Sequence, residues 1–484
     1  MPRVVVCGAG SAGCVVAARL AEDPENEVVV IEAGPDYPTV EDMPAAIRNA
    51  YIGAGAAVGA HHDWGYFDAG LTTLNPRYAD IPGKRMPVFR GKVVGGSSAV
   101  NAANFLRPHE DDFDTWVAMG ASEWSWAQVR ETLCQLEADP LGGQWHGTQG
   151  RVPVTRASRE ELRPILRDFL DACAGQGHQV LGDLNAPGAV GAGPIPFNTR
   201  AGVRQSAAVT YLSEARRRTN LSILADTEVD RVLFRGPAAV GVRLASGEEV
   251  AADLVVLAAG AVGSPAILMR SGVGPQAHLE ELGITVRVAN DAVGGNLQDH
   301  PISTLEFSMT PDPTDTSSAT LQTMLTCCSS GTQDQRQLDL NIAPFVSGPD
   351  HVFVSVGLVK SRSVGYVRLR SSDVHVAPEI QLNYFSHPDD LPRLIRGVQL
   401  AREILSSPQL SRYALTEVFP GPAVAGADEI GESIRSSPYS YAHASGTCRM
   451  GHRVSAGAVV DQFGAVHGLE RLSVVDASIM PSIP

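Results

Sequence analysis

The chain has 484 residues, 44% of them hydrophobic, with 48 glycines and 32 prolines: enough for two substantial domains, or one large domain with insertions, in a globular, loop-rich α/β protein. A formal net charge of −15 excludes the basic face that a phosphate backbone demands, and with it nucleic acid as a partner. The seven cysteines form no CxxC and no metal-like spacing, so reduced thiols in a cytoplasmic protein are expected.

The first segment, "RVVVCGAGSAGCVVAARLAEDPENEVVVIEAG", enters a strand at Val4 to Val6 without the charged and apolar regions of an export signal. Gly8, Gly10 and Gly13 then spell G-x-G-x-x-G, a helix follows over Val15 to Leu20, and a second strand over Val28 to Ile31 ends in Glu32. Glycine at the first position permits the tight turn, at the second the approach of a pyrophosphate, and at the third close helix–strand packing. The helix N-terminus offers its partial positive charge to the phosphates, and Glu32 stands where a carboxylate accepts from a ribose hydroxyl. That carboxylate disfavours a 2′-phosphate and hence NADP; FAD and NAD remain open at this point.

Next, His61 and His62 precede "DWGYF" and read as surface or entrance residues. In "RGKVVGGSSAVNAANFLRPHEDDFDTW", Arg90 to Trp116, Gly95 and Gly96 let a loop lie flat against a planar ring. Ser97, Ser98 and Asn101 offer donors and acceptors to phosphate or to a ring edge, or else satisfy their own backbone. "NLSILADTEVDRVLFRG" and "GVRLASGEEVAADLVVLAAG" form a strand series. "LVVLAAGAVGSPAILM", from Leu254, reads as buried strand, turn and helix start; its glycines and Pro265 argue against a membrane span. "LDLNIAPFVSG", "HVFVSVGLVK" and "SVGYVRLRS" alternate like antiparallel strands with one buried face. Leu391, Leu394, Ile395, Val398, Ala401 and Leu405 recur at helical spacing as a core stripe. The 13 histidines show no metal constellation, and no metal is expected. His443, in "YAHASGTCRMG", reads on its own as a structural histidine.

Four ordered stretches change that reading. Gly91, Gly95, Gly96, Ser97, Ser98, Asn101, Pro108 and Asp114 in the second glycine segment, "GAVGSPAILMRSGVG" from Gly260, "VGGNLQDHP" from Val293, and "HASGTCRMG" followed by "VVDASIMPSIP" together resemble the glucose–methanol–choline (GMC) family of FAD-dependent oxidoreductases. The resemblance implies an α/β fold: a Rossmann-like FAD-binding domain with an α+β substrate domain built on an antiparallel sheet. It places residues 1–150, 201–300 and 436–484 in a discontinuous FAD domain, and 151–200 and 301–435 in the substrate domain. Expected FAD contacts are Gly8, Gly10, Ser11, Ala12, Gly13, Glu32 and Ala33 around the first turn, then Trp64. They continue with Val94, Gly95, Ser98, Asn101, Ala102, Ala103 and Asn104 in the second segment, Val229 beside adenine, and Ala442, Asp476 and Ala477 near the end. Covalent members carry a histidine just before the asparagine; Val100 stands there, so dissociable FAD is expected.

The implied reaction is oxidation of a primary alcohol or aldehyde hydrate. His443, heading H-x-x-G-T with Gly446 and Thr447, removes the hydroxyl proton while hydride passes to flavin N5. The partners are a small-molecule alcohol, aromatic, furanic or choline-like, and an acceptor, oxygen or a redox carrier; no stable membrane insertion is expected. His300, ending "NLQDH", is expected to brace the fold near the cofactor, and His467 to lie in a turn. The family continues past "DASIMPSIP" with an asparagine-bearing loop and a helix that supply the second catalytic His or Asn. The expectation is a chain lacking that piece; the alternatives are a substitute residue elsewhere, or a catalytically impaired flavin-binding protein. A same-fold lyase or decarboxylase is the other alternative reaction.

Overall fold

Short valine-rich strands build the first layer. The structure, a computed structural model, describes residues 1–50, 61–75, 78, 80–311, 320–332, 334–454 and 457–484. Five parallel strands stand in the order Leu221–Leu224, Glu27–Ile31, Arg3–Cys7, Leu254–Leu257, Leu472–Val474. Their apolar runs are continuous because both faces are covered. Val4, Val6, Val28 and Val30 pack with Cys14 and Ala17 of the helix Ser11–Leu20. Val5, Val29, Val255 and Leu257 face the opposite core, which includes Leu268 and Met269 of the helix Gly260–Arg270. A three-stranded antiparallel sheet, Val229–Arg235, Ala238–Leu244 and Glu249–Ala251, packs into that same core.

The second layer is a seven-stranded antiparallel sheet. Its path runs Thr416–Phe419, Pro301–Ser308, His351–Leu358, Leu340–Val346, Thr323–Cys327, Gly191–Pro194, and Tyr439–Ser440 pairs with the start of Pro301–Ser308. Alternation sorts its faces. Val352, Val354, Val356, Leu340 and Ile342 pack under the helices Pro164–Gly175 and Asp390–Leu405. The core stripe of the second helix is as expected, with Leu391, Leu394, Val398, Ala401 and Leu405 buried and Ile395 packed against them. Phe353, Ser355 and Gly357 alternate onto the other face, which looks back toward the first layer.

One expectation differs from the structure, and one strand joins a sheet that the sequence did not specify. Within "SVGYVRLRS", the strand Tyr366–Arg368 pairs antiparallel with Glu379–Gln381 as expected, in a separate four-stranded sheet completed by Tyr66–Thr72 and Arg85–Val88. Alternation specifies a strand and not its neighbours; here Val367 is buried with Met86, Val88 and Val262. His62 is buried rather than at the surface, its Nε2 2.8 Å from Tyr37 Oη, while His61 is exposed. Among the described residues no helix is long and apolar enough to cross a membrane.

Candidate active site

The glycine turn closes on itself. Gly8 has φ +101°, and a Cβ there would stand 2.6 Å from the Ala258 carbonyl oxygen; at Gly13 it would stand 1.9 Å from the Gly8 oxygen. Gly10 is different: a Cβ would meet nothing closer than 3.8 Å, so the outer side of the turn is open. Gly10 caps the helix Ser11–Leu20 without a side-chain hydrogen bond, leaving its first N–H groups available to an anion. Glu32 lies behind the turn, accepting from Ala9 N–H at 2.9 Å and Gly34 N–H at 3.0 Å. Burial pushes its carboxyl up to about 7, against the pull of those amides and of Lys92. Thr227 N–H donates to the Glu32 carbonyl at 2.8 Å, which brings the buried Val229 close by. Lys92 stands 4.8 Å over the Trp64 ring, itself stacked on Tyr66.

The second glycine segment is stitched to this turn. Gly95 N–H donates to Ala9 O at 2.8 Å and Val94 N–H to Pro35 O at 3.0 Å, and Gly96 lies against Gly10, where a Cβ would be 2.6 Å from the Gly10 Cα. The polar side chains here serve their own backbone. Ser97 Oγ accepts from Gly91 N–H, Ser98 Oγ donates to Gly95 O, and Asn101 Oδ1 accepts from Ala103 N–H and from Arg204. Asn104 Oδ1, in contrast, is buried without a partner. Asp476 is likewise engaged within the protein: its carboxylate accepts from Gly260 N–H, Ser264 Oγ–H and Ser478 N–H.

A cavity of about 600 Å³ is lined by Ser11, this loop and two histidines, His300 and His443. Its wall includes the expected residues Ser11, Ser98, Asn101, Ala102, Asn104, Ala442, His443 and Ala477. The other expected contacts, Gly8, Gly10, Ala12, Gly13, Glu32, Ala33, Trp64, Val94, Gly95, Ala103, Val229 and Asp476, lie outside that wall.

Strand pairing aligns the histidines. Pro301 and Ile302 pair with Ser440 and Tyr439, Tyr441 N–H donates to His300 O, and Gln298 bridges Ser445. His300 Nδ1 thereby comes within 3.0 Å of His443 Nδ1, the rings crossing at 87°. Asp299 anchors both backbones, accepting from His300 N–H at 2.9 Å and His443 N–H at 2.7 Å. Its other oxygen accepts from Tyr384 and Ser440 hydroxyls. Arg90 donates to the Ala442 carbonyl, while its Nε and Nη2 are buried and unpartnered. The Tyr441 ring stacks on His443 at 5.3 Å and 9°.

His443 is exposed in area, yet that area opens onto the cavity and the ring lies deep in the fold. Burial lowers its basicity, with Asp299 opposing and Arg90 reinforcing the effect. Burial and the neighbouring His443 bring His300 down to about 3. Both rings are therefore neutral near pH 7, and between the two Nδ1 atoms one donates and the other accepts.

Sequence reasoning singled out His443 as the candidate base and did not foresee that His300 would touch it. The available signal was that both histidines end motifs of the same family pattern. It also missed Asp299, Arg90 and Tyr441, and a buried cluster of Glu137, Asp139 and His146 whose ligand atoms lie within 4.8 Å of one another. Arg107 and Arg156 neutralise the carboxylates of that cluster.

An open turn at an uncapped helix end, a buried acid behind it, and a cavity with unpartnered Asn104 and Arg90 atoms suit a dinucleotide with a polar planar ring at one end. The fold and site define a dinucleotide-dependent oxidoreductase with a separate substrate layer. Residues 3–302 and 361–484 match the two models of the GMC oxidoreductase family, to which the chain belongs. It is an FAD-dependent enzyme acting on CH–OH substrates. The chain is 35% identical to a GMC-type oxidoreductase of Rhodococcus erythropolis, over 99% of this chain and 94% of that protein. It is 33% identical to an oxygen-dependent choline dehydrogenase of Rhizobium rhizogenes, over 99% and 91%. The structure of pyridoxine 4-oxidase from Mesorbium loti superposes with a TM-score of 0.90 at 30% identity, covering 100% of this chain and 95% of that one.

Proposed function

We propose that the chain oxidises a primary alcohol or aldehyde hydrate, with His443 as the base that takes the hydroxyl proton. The observation that carries this is the neutral histidine pair, which lines the same cavity as Ser11 and the 97–104 loop. Among the smaller influences on His300, backbone groups of Val359 and Pro484 favour a proton on its ring, while Nε2 is buried with no hydrogen bond among the described residues. In the tautomer that carries the proton on Nε2, His300 Nδ1 accepts from His443 Nδ1–H. His443 Nε2 then carries a lone pair and can accept a proton from an alcohol hydroxyl. Asp299 and Arg90 hold the two polar ends of the peptide bond that precedes His443, its N–H and the Ala442 carbonyl, and Tyr441 backs its ring. Bound FAD supplies the two-electron acceptor for the hydride. The turn around Gly10 and Ser11, Glu32 and the 91–104 loop would hold the cofactor, with Val229 at its adenine end.

FAD is held without a covalent bond in this reading, because the buried Val100 has no nucleophile. The electron acceptor is oxygen or a redox carrier, and the location cytoplasmic. The cofactor domain comprises 1–150, 201–300 and 436–484, with substrate contacts from 151–200 and 301–435; the four-stranded sheet joins the two. Anaerobic mixing of holoenzyme with primary alcohols tests the reaction. Bleaching of the flavin band, abolished in His443→Ala with FAD retained, is the expected result. Turnover with flavin permanently oxidised would overturn it.

A further inference from the structure

The cavity-facing side of the seven-stranded sheet carries an unexplained polar group. One row across that sheet reads Ile302, Gly357, Asn341, Thr326 by direct pairing. Residues paired in this way share a face, and Ile302, Asn341 and Thr326 all line the cavity. Gly357 leaves room for the Tyr441 ring: a Cβ would stand 2.1 Å from its Cε2. Tyr441 in turn stacks on His443. Asn341 therefore sits beside the ring that backs the histidine pair.

Among the described residues, Asn341 Oδ1 is buried and has no hydrogen-bond partner. An amide oxygen left unmatched in this way is costly, and a ligand that pairs with it gains correspondingly. Its surroundings are aromatic. Further along the same strands Phe345 pairs with Phe353, ring centroids 6.4 Å apart, and both line the cavity. Charge is lacking. The one carboxylate side chain among the described lining residues is Asp112, which is ion-paired to Lys360 and accepts from His109 N–H. Among the described residues, no unpaired carboxylate side chain lines the cavity to meet a quaternary ammonium.

We propose that Asn341 determines specificity, and that the cavity takes a neutral aromatic alcohol whose ring carries a hydroxyl that pairs with the Asn341 amide. A hydroxyl both donates and accepts, so it satisfies this amide in either orientation. The inference rests on the oxidation reading above, and its test separates the two. Holoenzyme and Asn341→Leu are mixed anaerobically with benzyl alcohol, 3- and 4-hydroxybenzyl alcohol, and choline, and flavin reduction is followed. Wild type should prefer the better hydroxylated alcohol over benzyl alcohol by about tenfold, and the variant should lose most of that preference. Choline should be the poorest substrate. An unchanged preference in the variant, or choline as the best substrate, overturns the proposal while leaving oxidation intact. If no alcohol bleaches the flavin, the oxidation reading falls. Calorimetric titration of the hydroxybenzyl alcohols onto holoenzyme then decides: about tenfold weaker binding to the variant supports the Asn341 contact, and equal binding removes it. Asn341→Ala serves in both measurements should the leucine variant fail to fold.

Discussion

His300 and His443 meet Nδ1 to Nδ1 at 3.0 Å, with their rings nearly perpendicular. Two imidazoles so close cannot both be cationic without strong repulsion, and both cannot donate at the shared contact. The pair is one proton-bearing unit whose tautomer is fixed by what surrounds it.

The first consequence concerns the pH–rate profile. Burial lowers His443 from its ordinary 6.5, so the neutral, proton-accepting form prevails at neutral pH. Flavin reduction by alcohol should be constant near and above pH 7. It should decline toward acid with a midpoint below 6.5. A midpoint above that value would mean the base is a different group.

The second concerns His300. His300→Ala removes the acceptor for His443 Nδ1–H and should lower the reduction rate by roughly 10²-fold. His300→Asn, whose Oδ1 can accept the same proton, should recover part of the loss and keep the acid midpoint below 6.5. Stability carries its own signature. His300 falls to about 3 in the folded protein, so between that value and 6.5 the unfolded chain binds the extra proton. Stability is therefore lost as pH drops below 6.5. Urea midpoints measured from pH 7 to 4 should fall more steeply in wild type than in His300→Asn.

The glycine turn, the parallel valine strands and the core stripe of Asp390–Leu405 were legible because each depends on near neighbours in sequence. His443 was legible through its motif. The contact of His300 with His443 was not, because 143 residues separate them and only the pairing of Pro301–Ile302 with Tyr439–Ser440 brings them together. For the same reason "SVGYVRLRS" revealed a strand but not its sheet. Ser97, Ser98 and Asn101 were legible as polar loop residues; which groups they serve depended on Gly91, Ala207 and Arg204 folding against them.

Glu32 supplies a prediction about the cofactor. Its carboxyl is buried and raised to about 7, an environment in which donors to the charged form are valuable. Glu32→Ala should release FAD during gel filtration, with a dissociation constant raised by about tenfold or more. If FAD is dissociable as proposed, acid precipitation of wild type should leave all the flavin in the supernatant. Flavin retained in the pellet would contradict this.

Gly357 tests how His443 is held. A methyl group there would overlap the Tyr441 ring at 2.1 Å, and the ring can yield only by moving along the face it shares with His443. Gly357→Ala should lower the reduction rate by roughly 10–10²-fold, at a stability cost of about 1–3 kcal/mol. A fully active variant would show that Tyr441 does not position the base.

The last prediction concerns the cluster away from the histidine pair. Glu137 Oε1 lies 2.5 Å from Arg107 Nη2 and 2.8 Å from His146 Nδ1, and His146 Nε2 lies 2.8 Å from Asp183. Arg156 joins Asp139 at 2.7 Å and Asp183 at 2.8 Å. Glu137 and Asp139 are buried, and Arg107 also lines the cavity, so the network ties the 137–183 region to the substrate wall. Removing one charge leaves its partner buried and uncompensated, which costs about 3–5 kcal/mol. Glu137→Gln should lower the urea midpoint accordingly. The double change Glu137→Leu with Arg107→Met should regain part of the loss, since an apolar pair carries no desolvation penalty. A metal chelator should leave the melting temperature unchanged, because the guanidinium groups already neutralise these carboxylates. A chelator-induced drop would instead assign Glu137, Asp139 and His146 to an ion.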